Sequence, residues 1–300
     1  RREIVDITSF GQGEIVATYG GLEPRLGIRL KTSESASVKL GYAYTRQYLQ
    51  NIYNSTTPLP TSRWKMSDRY IQPQTGNTYS AGFYKNLKNN TITFSAEGYY
   101  STIENVVDYK AGADFFLQPF IEQDIVQAQG RSYGLEFNFA KPQGVWNGWF
   151  NYTWARSLRR TDEVDFRSQI NANDWFPSDF DRPHVFNGTI NFEANEFNTF
   201  SFNLVYQTGR PYTVANAVFE INEFNVPIFL ERNNSRLPDY HRLDFSWRIH
   251  NISTKTEKRW KGDWIFTIYN LYGRKNAYNI YYQNRQDGDF GSIFGASPLG

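Results

Sequence analysis

"GLEPRLGIRLKTSESASVKLGYAYTRQYLQNI" (Gly21–Ile52) reads as two strands joined by a tight turn. From Arg25 to Lys31, Leu26, Ile28 and Leu30 share one side, and Arg25, Gly27, Arg29 and Lys31 share the other. After the Thr32–Ser35 turn, Ala36, Val38, Leu40, Tyr42 and Tyr44 alternate with Ser37, Lys39, Gly41, Ala43 and Thr45. Successive strand side chains point to opposite faces, so each segment has one apolar and one polar side.

Outward from this pair the same period recurs. Tyr79, Ala81 and Phe83 alternate with Ser80 and Gly82; Phe94, Ala96 and Gly98 with Ser95 and Glu97. Tyr133, Leu135 and Phe137 alternate with Gly134, Glu136 and Asn138; Phe150, Tyr152 and Trp154 with Asn151 and Thr153. Further segments follow at Phe186–Phe192, Phe200–Tyr206 and Leu243–Ile249. A tenth, Trp264–Leu271, is apolar on both sides and leaves its facing open.

The connections alternate in length. Short ones fall near Thr32–Ser35, Leu87–Asn90, Lys141–Asn147 and Glu193–Thr199, with a longer fifth near Asn251–Asp263. Long ones fall near Asn51–Asn77, Val107–Gln129, Ser157–Arg182 and Thr208–Pro238. Long structureless connections are uncommon in a compact soluble domain. Short turns at one end and long loops at the other are the habit of outer-membrane barrels, with the turns periplasmic.

Composition agrees. The chain has 24 Phe, 21 Tyr and 8 Trp among 300 residues, yet a mean hydropathy of −0.62. A lipid-facing band with aromatic girdles around a polar interior reconciles the two. No run approaches the ~18 apolar residues of a helical span. Net charge is +2 and there is no Cys, so neither a nucleic-acid footprint nor a disulfide or thiolate metal site is present. The fold expected is all-β: an antiparallel transmembrane β-barrel, of which this chain supplies about ten strands and is incomplete at both ends. A soluble β-sandwich or adhesin is the alternative, disfavoured by the loop asymmetry.

Several phrases together resemble the barrel of TonB-dependent receptors of the Bacteroidetes. They include "NTYSAGFYKNL" (Asn77–Leu87), "GRSYGLEFNFAKPQGVWNGWFNYTWARS" (Gly130–Ser157), "FDRPHVFNGTINF" (Phe180–Phe192), "NLVYQTGRPYT" (Asn203–Thr213) and "PDYHRLDFSWRI" (Pro238–Ile249). The resemblance implies a 22-stranded barrel in the bacterial outer membrane, a plug domain in its lumen, and energy delivered by TonB from an inner-membrane motor. Residues 1–300 would then be its second half, lacking plug and closing strand. The implied function is import of a scarce siderophore, cobalamin, oligosaccharide or peptide, without enzymatic chemistry or cofactor. Lipid, lipopolysaccharide and a possible surface lipoprotein are the other expected partners. A passive porin, or a channel subunit of an outer-membrane secretion or surface assembly, is the competing reading.

Two residue sets follow as candidates. Aromatics of the long loops offer large contact area at low entropy cost: Trp64, Tyr70, Phe115, Phe116, Trp175, Phe176, Tyr212 and Phe219. Arg25, Arg29, Glu97, Glu136, Asn138, Asn203, Gln207, Arg242, Asp244 and Arg248 would face lumen or plug. His184, His241 and His250 lie in no metal-ligand spacing. Asp179 and Asp181 are expected at a solvated loop tip.

Overall fold

The structure, a computed structural model, describes residues 11–53, 62–110, 113, 120–221, 224–250, 262–284 and 290–296. Ten long strands form the wall: β1 (Arg25–Ser33), β2 (Ala36–Gln47), β3 (Gln74–Leu87), β4 (Ile92–Tyr109) and β5 (Ile125–Lys141). They continue with β6 (Trp146–Arg160), β7 (His184–Asn195), β8 (Asn198–Gln207), β9 (Tyr240–His250) and β10 (Asp263–Ile268). Each pairs antiparallel with the next in chain order, and the two-residue strand Phe176–Pro177 adds to β6 as the eleventh member of the sheet. β1 and β10 each have one neighbour in the sheet, which is therefore open at both edges among the described residues. No described helix is long and apolar enough to cross a membrane, which leaves crossing by strands open.

The register keeps the two faces of the sequence pattern intact. Leu30, Val38, Phe83, Ala96, Phe137, Tyr152, Phe186 and Tyr206 follow one another across eight strands. On the opposite face Arg29, Lys39, Gly82, Glu97, Glu136 and Thr153 do the same. Pairing also settles the tenth segment: Trp264, Phe266 and Ile268 stand opposite Ile249, Trp247 and Phe245, on the apolar face. Ile265 and Thr267 join Arg248 and Ser246 on the polar one. The described strand stops at Ile268, short of Leu271.

Among the described residues none covers the apolar face. Leu26 is 61% exposed, Leu30 54%, Ile190 57% and Trp264 69%. A contiguous apolar surface of this extent is rare on a soluble monomer. Aromatic rings cluster at two levels of it. At the short-turn end the rings of Trp146, Phe192, Phe200, Trp247 and Phe266 run in sequence, with centroids 4.5, 6.5, 6.0 and 5.8 Å apart. Toward the long-loop end Tyr100, Tyr133 and Trp154 sit 6.3 and 6.0 Å apart, and Tyr42 and Tyr79 5.2 Å. Trp146 and Trp154 mark the two levels on one strand, about 26 Å apart along it at ~3.3 Å per residue. That is on the order of the ~25 Å apolar band of a membrane barrel. Tyrosine tips here find polar partners: Tyr206 Oη donates to Asp239 Oδ2 at 2.7 Å, and the Tyr272 hydroxyl lies 2.7 Å from His241 Nδ1.

At 18 and 17 residues, β4 and β5 outrun this band, since roughly 9–11 residues suffice to cross. Their upper halves rise into the long-loop end. The loop expected at Val107–Gln129 is correspondingly shorter, running from 110 to 124.

Candidate functional site

The site at the long-loop end starts from one inserted residue. The β4–β5 register slips between Ile103 and Val106, where Asn105 takes a left-handed φ of 58°. Below the slip the odd-numbered residues Glu97, Tyr99 and Ser101 share the polar face; above it the even-numbered Val106 and Asp108 do. A bulge re-aims side chains in this way. It turns Asp108 onto the polar face, where its side chain is 3% exposed.

Asp108 ties three segments together. Arg159 of β6 reaches its Oδ2 at 3.2 Å, and Arg232 pairs with its Oδ1. Arg232 also donates to the Tyr109 carbonyl at 2.8 Å and lies over the Tyr109 ring at 3.9 Å. Asn171 and Arg232 exchange two bonds, and the Asn233 amide donates to Pro177 O and Asp179 Oδ1, both at 2.8 Å. The loop between β8 and β9 is thereby fastened to the β6–β7 loop and to the top of β4.

A second anchor lies four residues on. Arg236 pairs with Asp181 Oδ2 and donates to the Asp181 carbonyl at 2.8 Å. Asp181 Oδ1 accepts from Ser157 N at 2.6 Å and from Arg156 Nε at 3.2 Å. Asp181 is 0% exposed; it is a buried hub and not the solvated loop tip anticipated for it. Asp179 is part-buried and bonded to Asn233.

The loop aromatics separate. Phe176 is 2% exposed and packs with Val126 and Ile170, so it supports the loops from inside and offers no ligand a ring. Trp175, beside it, is part-exposed and stacks on Arg131 at 4.0 Å and Arg160 at 5.1 Å. Trp64, Tyr70 and Phe219 are 67%, 45% and 56% exposed. Tyr212 is part-buried beside the Pro211–Tyr212 pairing with Ser235–Arg236. Phe115 and Phe116 lie outside the described residues, as does most of the Asn251–Asp263 turn. Register places Arg25, Arg29, Glu97, Glu136, Asn138, Asn203, Gln207, Arg242, Asp244 and Arg248 on the polar face. Glu97 and Glu136 stand directly opposite one another there.

The first long loop is clipped separately. Lys65 lies 2.6 Å from Asp68 and pairs with Glu122. Asp68 Oδ1 accepts from the backbone of Tyr70 at 2.8 Å and Ile71 at 2.9 Å. Burial alone would raise the Asp68 pKa, but the Lys65 bond and those two N–H groups outweigh it and hold the pKa below the usual carboxylate value. Burial likewise opposes the charge of Lys65, while its two carboxylate partners hold the pKa above the ordinary lysine value. Beneath the clip Ile52, Ile71, Tyr109, Ala113, Ile121 and Ile125 make a small buried cluster.

Two open recesses mark the polar face. One, of about 460 Å³, lies at the short-turn end and mixes Glu193 and Glu196 with Arg248 and His250. The other, of about 720 Å³, lies where β7, β8 and β9 meet the long loops, and Arg182, Arg210 and Arg242 line it. Gly209 lets two loop segments cross beside it: a Cβ there would fall 1.6 Å from the Leu237 carbonyl oxygen. Among the described residues no group of three or more His, Cys, Asp or Glu is placed to hold a metal ion. Asp108, Arg232 and Arg236 are not among the residues singled out in the sequence, and Asp181 is singled out there only as a loop-tip acid. Their partners lie up to 124 residues away, and nothing local marks them.

A model of the TonB dependent receptor-like β-barrel matches residues 5–274. The chain belongs to the TonB-dependent receptor family. Its ten-strand sheet is thus part of an integral outer-membrane barrel. Solved receptors share the fold. The ferripyoverdine receptor of Pseudomonas aeruginosa superposes with a TM-score of 0.58 at 15% identity, over 85% of this chain and 29% of that one. The siderophore receptor PiuA of Acinetobacter baumannii gives 0.56 at 15%, over 84% and 32%. The ferric-catecholate import receptor Fiu of E. coli K12 gives 0.55 at 15%, over 84% and 31%. This TonB-dependent receptor chain therefore spans about a third of the length of those structures. No relative was found among curated protein sequences.

Proposed function

We propose that this chain is the second half of the barrel of an importer that takes up a scarce ligand across the outer membrane with energy supplied through TonB. The family match over residues 5–274 carries this reading. In it the apolar face meets lipid, the long loops face the exterior, and the polar face lines a lumen that a plug domain fills. Glu97 opposite Glu136 supports a plug: like charges directly across a strand pair are destabilising, and a cation presented from inside the lumen would offset them. Of the solved receptors named above, one imports ferric catecholate, one is a siderophore receptor and one binds ferripyoverdine, and an iron-loaded siderophore is the first ligand to try. The Bacteroidetes branch is favoured by the run of barrel phrases quoted from the sequence.

Import predicts no covalent step. The β6–β7 and β8–β9 loops gather on the polar face around Asp108 and Asp181, and Trp64, Tyr70 and Phe219 are exposed contact groups of the long loops. The test is uptake by cells carrying the full-length gene, with and without TonB, using iron-loaded siderophores. Ligand accumulation that disappears without TonB supports the reading; accumulation independent of TonB would establish a passive channel instead.

A further inference from the structure

We infer that Arg131, Trp175 and Arg160 form a site on the outside of the wall that holds a phosphate group of lipopolysaccharide in the outer leaflet. The inference rests on one part of the reading above, that the long loops face the exterior, and holds for an importer and a passive channel alike. Register fixes the facing. Arg131 lies on the same face of β5 as Tyr133 and Leu135, and Arg160 on the same face of β6 as Trp154. Phe176 stands opposite Arg159 on the polar face, and alternation along the strand turns its neighbour Trp175 to the apolar side. There the Trp175 ring lies 4.0 Å from the Arg131 guanidinium and 5.1 Å from that of Arg160. An aromatic that reads in the sequence as a ligand contact of the mouth therefore stands behind the wall, with two cations against it.

The level is that of lipid headgroups. Arg131 comes two residues above Tyr133 of the upper aromatic level, about 7 Å along the strand at ~3.3 Å per residue and about 5 Å in height at a tilt of ~45°. The headgroup layer is roughly 5–8 Å deep on each side of the hydrocarbon. Both charges are open. Arg160 Nε donates to Gln129 Oε1 at 2.9 Å, a neutral amide, and Arg131 Nε is buried with no hydrogen-bond partner among the described residues. Glu104 shares the face, and Asp162 and Asp174 flank Arg160 and Trp175 in sequence; none of the three pairs with either arginine. Arg156, also on this face, is held by Asp181 at 3.2 Å and contributes no open charge.

Two like charges against one ring repel each other, and a phosphate beside them removes that repulsion while taking the paired, charge-assisted bonds that guanidinium favours. The indole face holds both cations in place. A lipid fits better than a soluble anion, because the site continues downward into uncovered apolar surface: Leu135, below Arg131 and Tyr133, is 46% exposed. Lipopolysaccharide carries its phosphates directly above its acyl chains and would meet both parts at once.

The experiment uses the full-length receptor in a neutral detergent, titrated with diphosphoryl lipid A, dephosphorylated lipid A and inorganic phosphate, with bound lipid counted by native mass spectrometry. Diphosphoryl lipid A is expected to bind saturably, and the dephosphorylated form roughly tenfold more weakly or worse. Inorganic phosphate at equal concentration should not displace the lipid. R131Q/R160Q should weaken diphosphoryl lipid A by roughly tenfold or more, since two charge-assisted contacts are lost. R131K/R160K should fall between, keeping charge but losing the fork geometry. K141Q, on the same face at the other end of β5, should bind as the parent does. Heat-modifiable gel mobility of each variant reports that the barrel has folded. Equal binding of the two lipid A forms overturns the assignment, as does unchanged binding in R131Q/R160Q or displacement of the lipid by inorganic phosphate. Orientation has its own test: V164C, at a loop position 98% exposed, should react with a membrane-impermeant maleimide on intact cells. Labelling without phosphate-dependent lipid binding would sink this inference alone, whereas failure to label would sink the orientation on which it rests.

Discussion

Asp181 and Asp108 show how individual side chains organise the mouth. Both are buried, and each is held by arginines from distant segments. Removing one partner of such a pair leaves the other charge uncompensated, typically at about 3–5 kcal/mol. D181N is therefore expected to loosen the segment around Arg236 without unfolding the membrane wall. Faster proteolysis within residues 208–239, with heat-modifiable mobility retained, is the expected outcome; an unchanged digestion pattern would contradict it. At Gly209 the constraint is space, since any Cβ collides with the Leu237 carbonyl. G209A should give the same local loosening, read out by the same digestion. The Lys65–Asp68 clip has a pH window. The Asp68 pKa is depressed in the fold, so its contribution is complete above the unfolded value of about 3.9 and fades as pH falls through the folded one. The Lys65 pKa is raised, so its share is complete below about 10.4 and fades as pH climbs past the folded value. Hydrogen exchange of the Tyr70 and Ile71 amides should be slowest between those limits, relative to the intrinsic rate, and lose protection below pH ~3.9.

Strands were the most legible level of this chain. Alternation marked nine of the ten wall segments, because a sheet with lipid on one side and polar surroundings on the other must repeat every two residues. It failed where that contrast fails. Trp264–Ile268 is apolar on both faces in sequence, and only its pairing with β9 decides that Trp264, Phe266 and Ile268 face outward. Cysteine-linked spin labels at these three positions should report hydrocarbon, and labels at Ile265 and Thr267 an aqueous or protein-packed setting; the reverse would mean a one-residue slip. The upper parts of β4 and β5 read as loop because protein covers them: Val106, Asp108, Val126 and Ala128 are all buried. Phe176 reads as a contact residue in the sequence, since an aromatic in a long loop looks the same whether it faces ligand or core. Trp175 and Phe176, neighbours with opposite fates, show that only the pairing of Phe176 with Arg159 separates them.

For the whole molecule, the open sheet and the uncovered apolar face imply an assembly larger than the described strands. If a plug presents a cation to Glu97 and Glu136, which pair with no cation among the described residues, the effect of E136Q depends on context. In a plug-deleted barrel it should raise the thermal midpoint, relieving like-charge repulsion of about 0.2–1 kcal/mol. In the full-length receptor it should lower it, because a compensated contact is lost. Equal shifts in both forms would remove the acidic pair from the argument for a plug.

Asn105 has a reach beyond its own bond to the Pro73 carbonyl. Because one extra residue inverts the facing of everything above it on β4, the strand is read in two frames, one for the bilayer and one for the mouth. Gain or loss of a single codon at that step would reassign Asp108 while sparing every rung below. Receptor lineages could thus remodel their external chemistry without renegotiating their fit to the lipid.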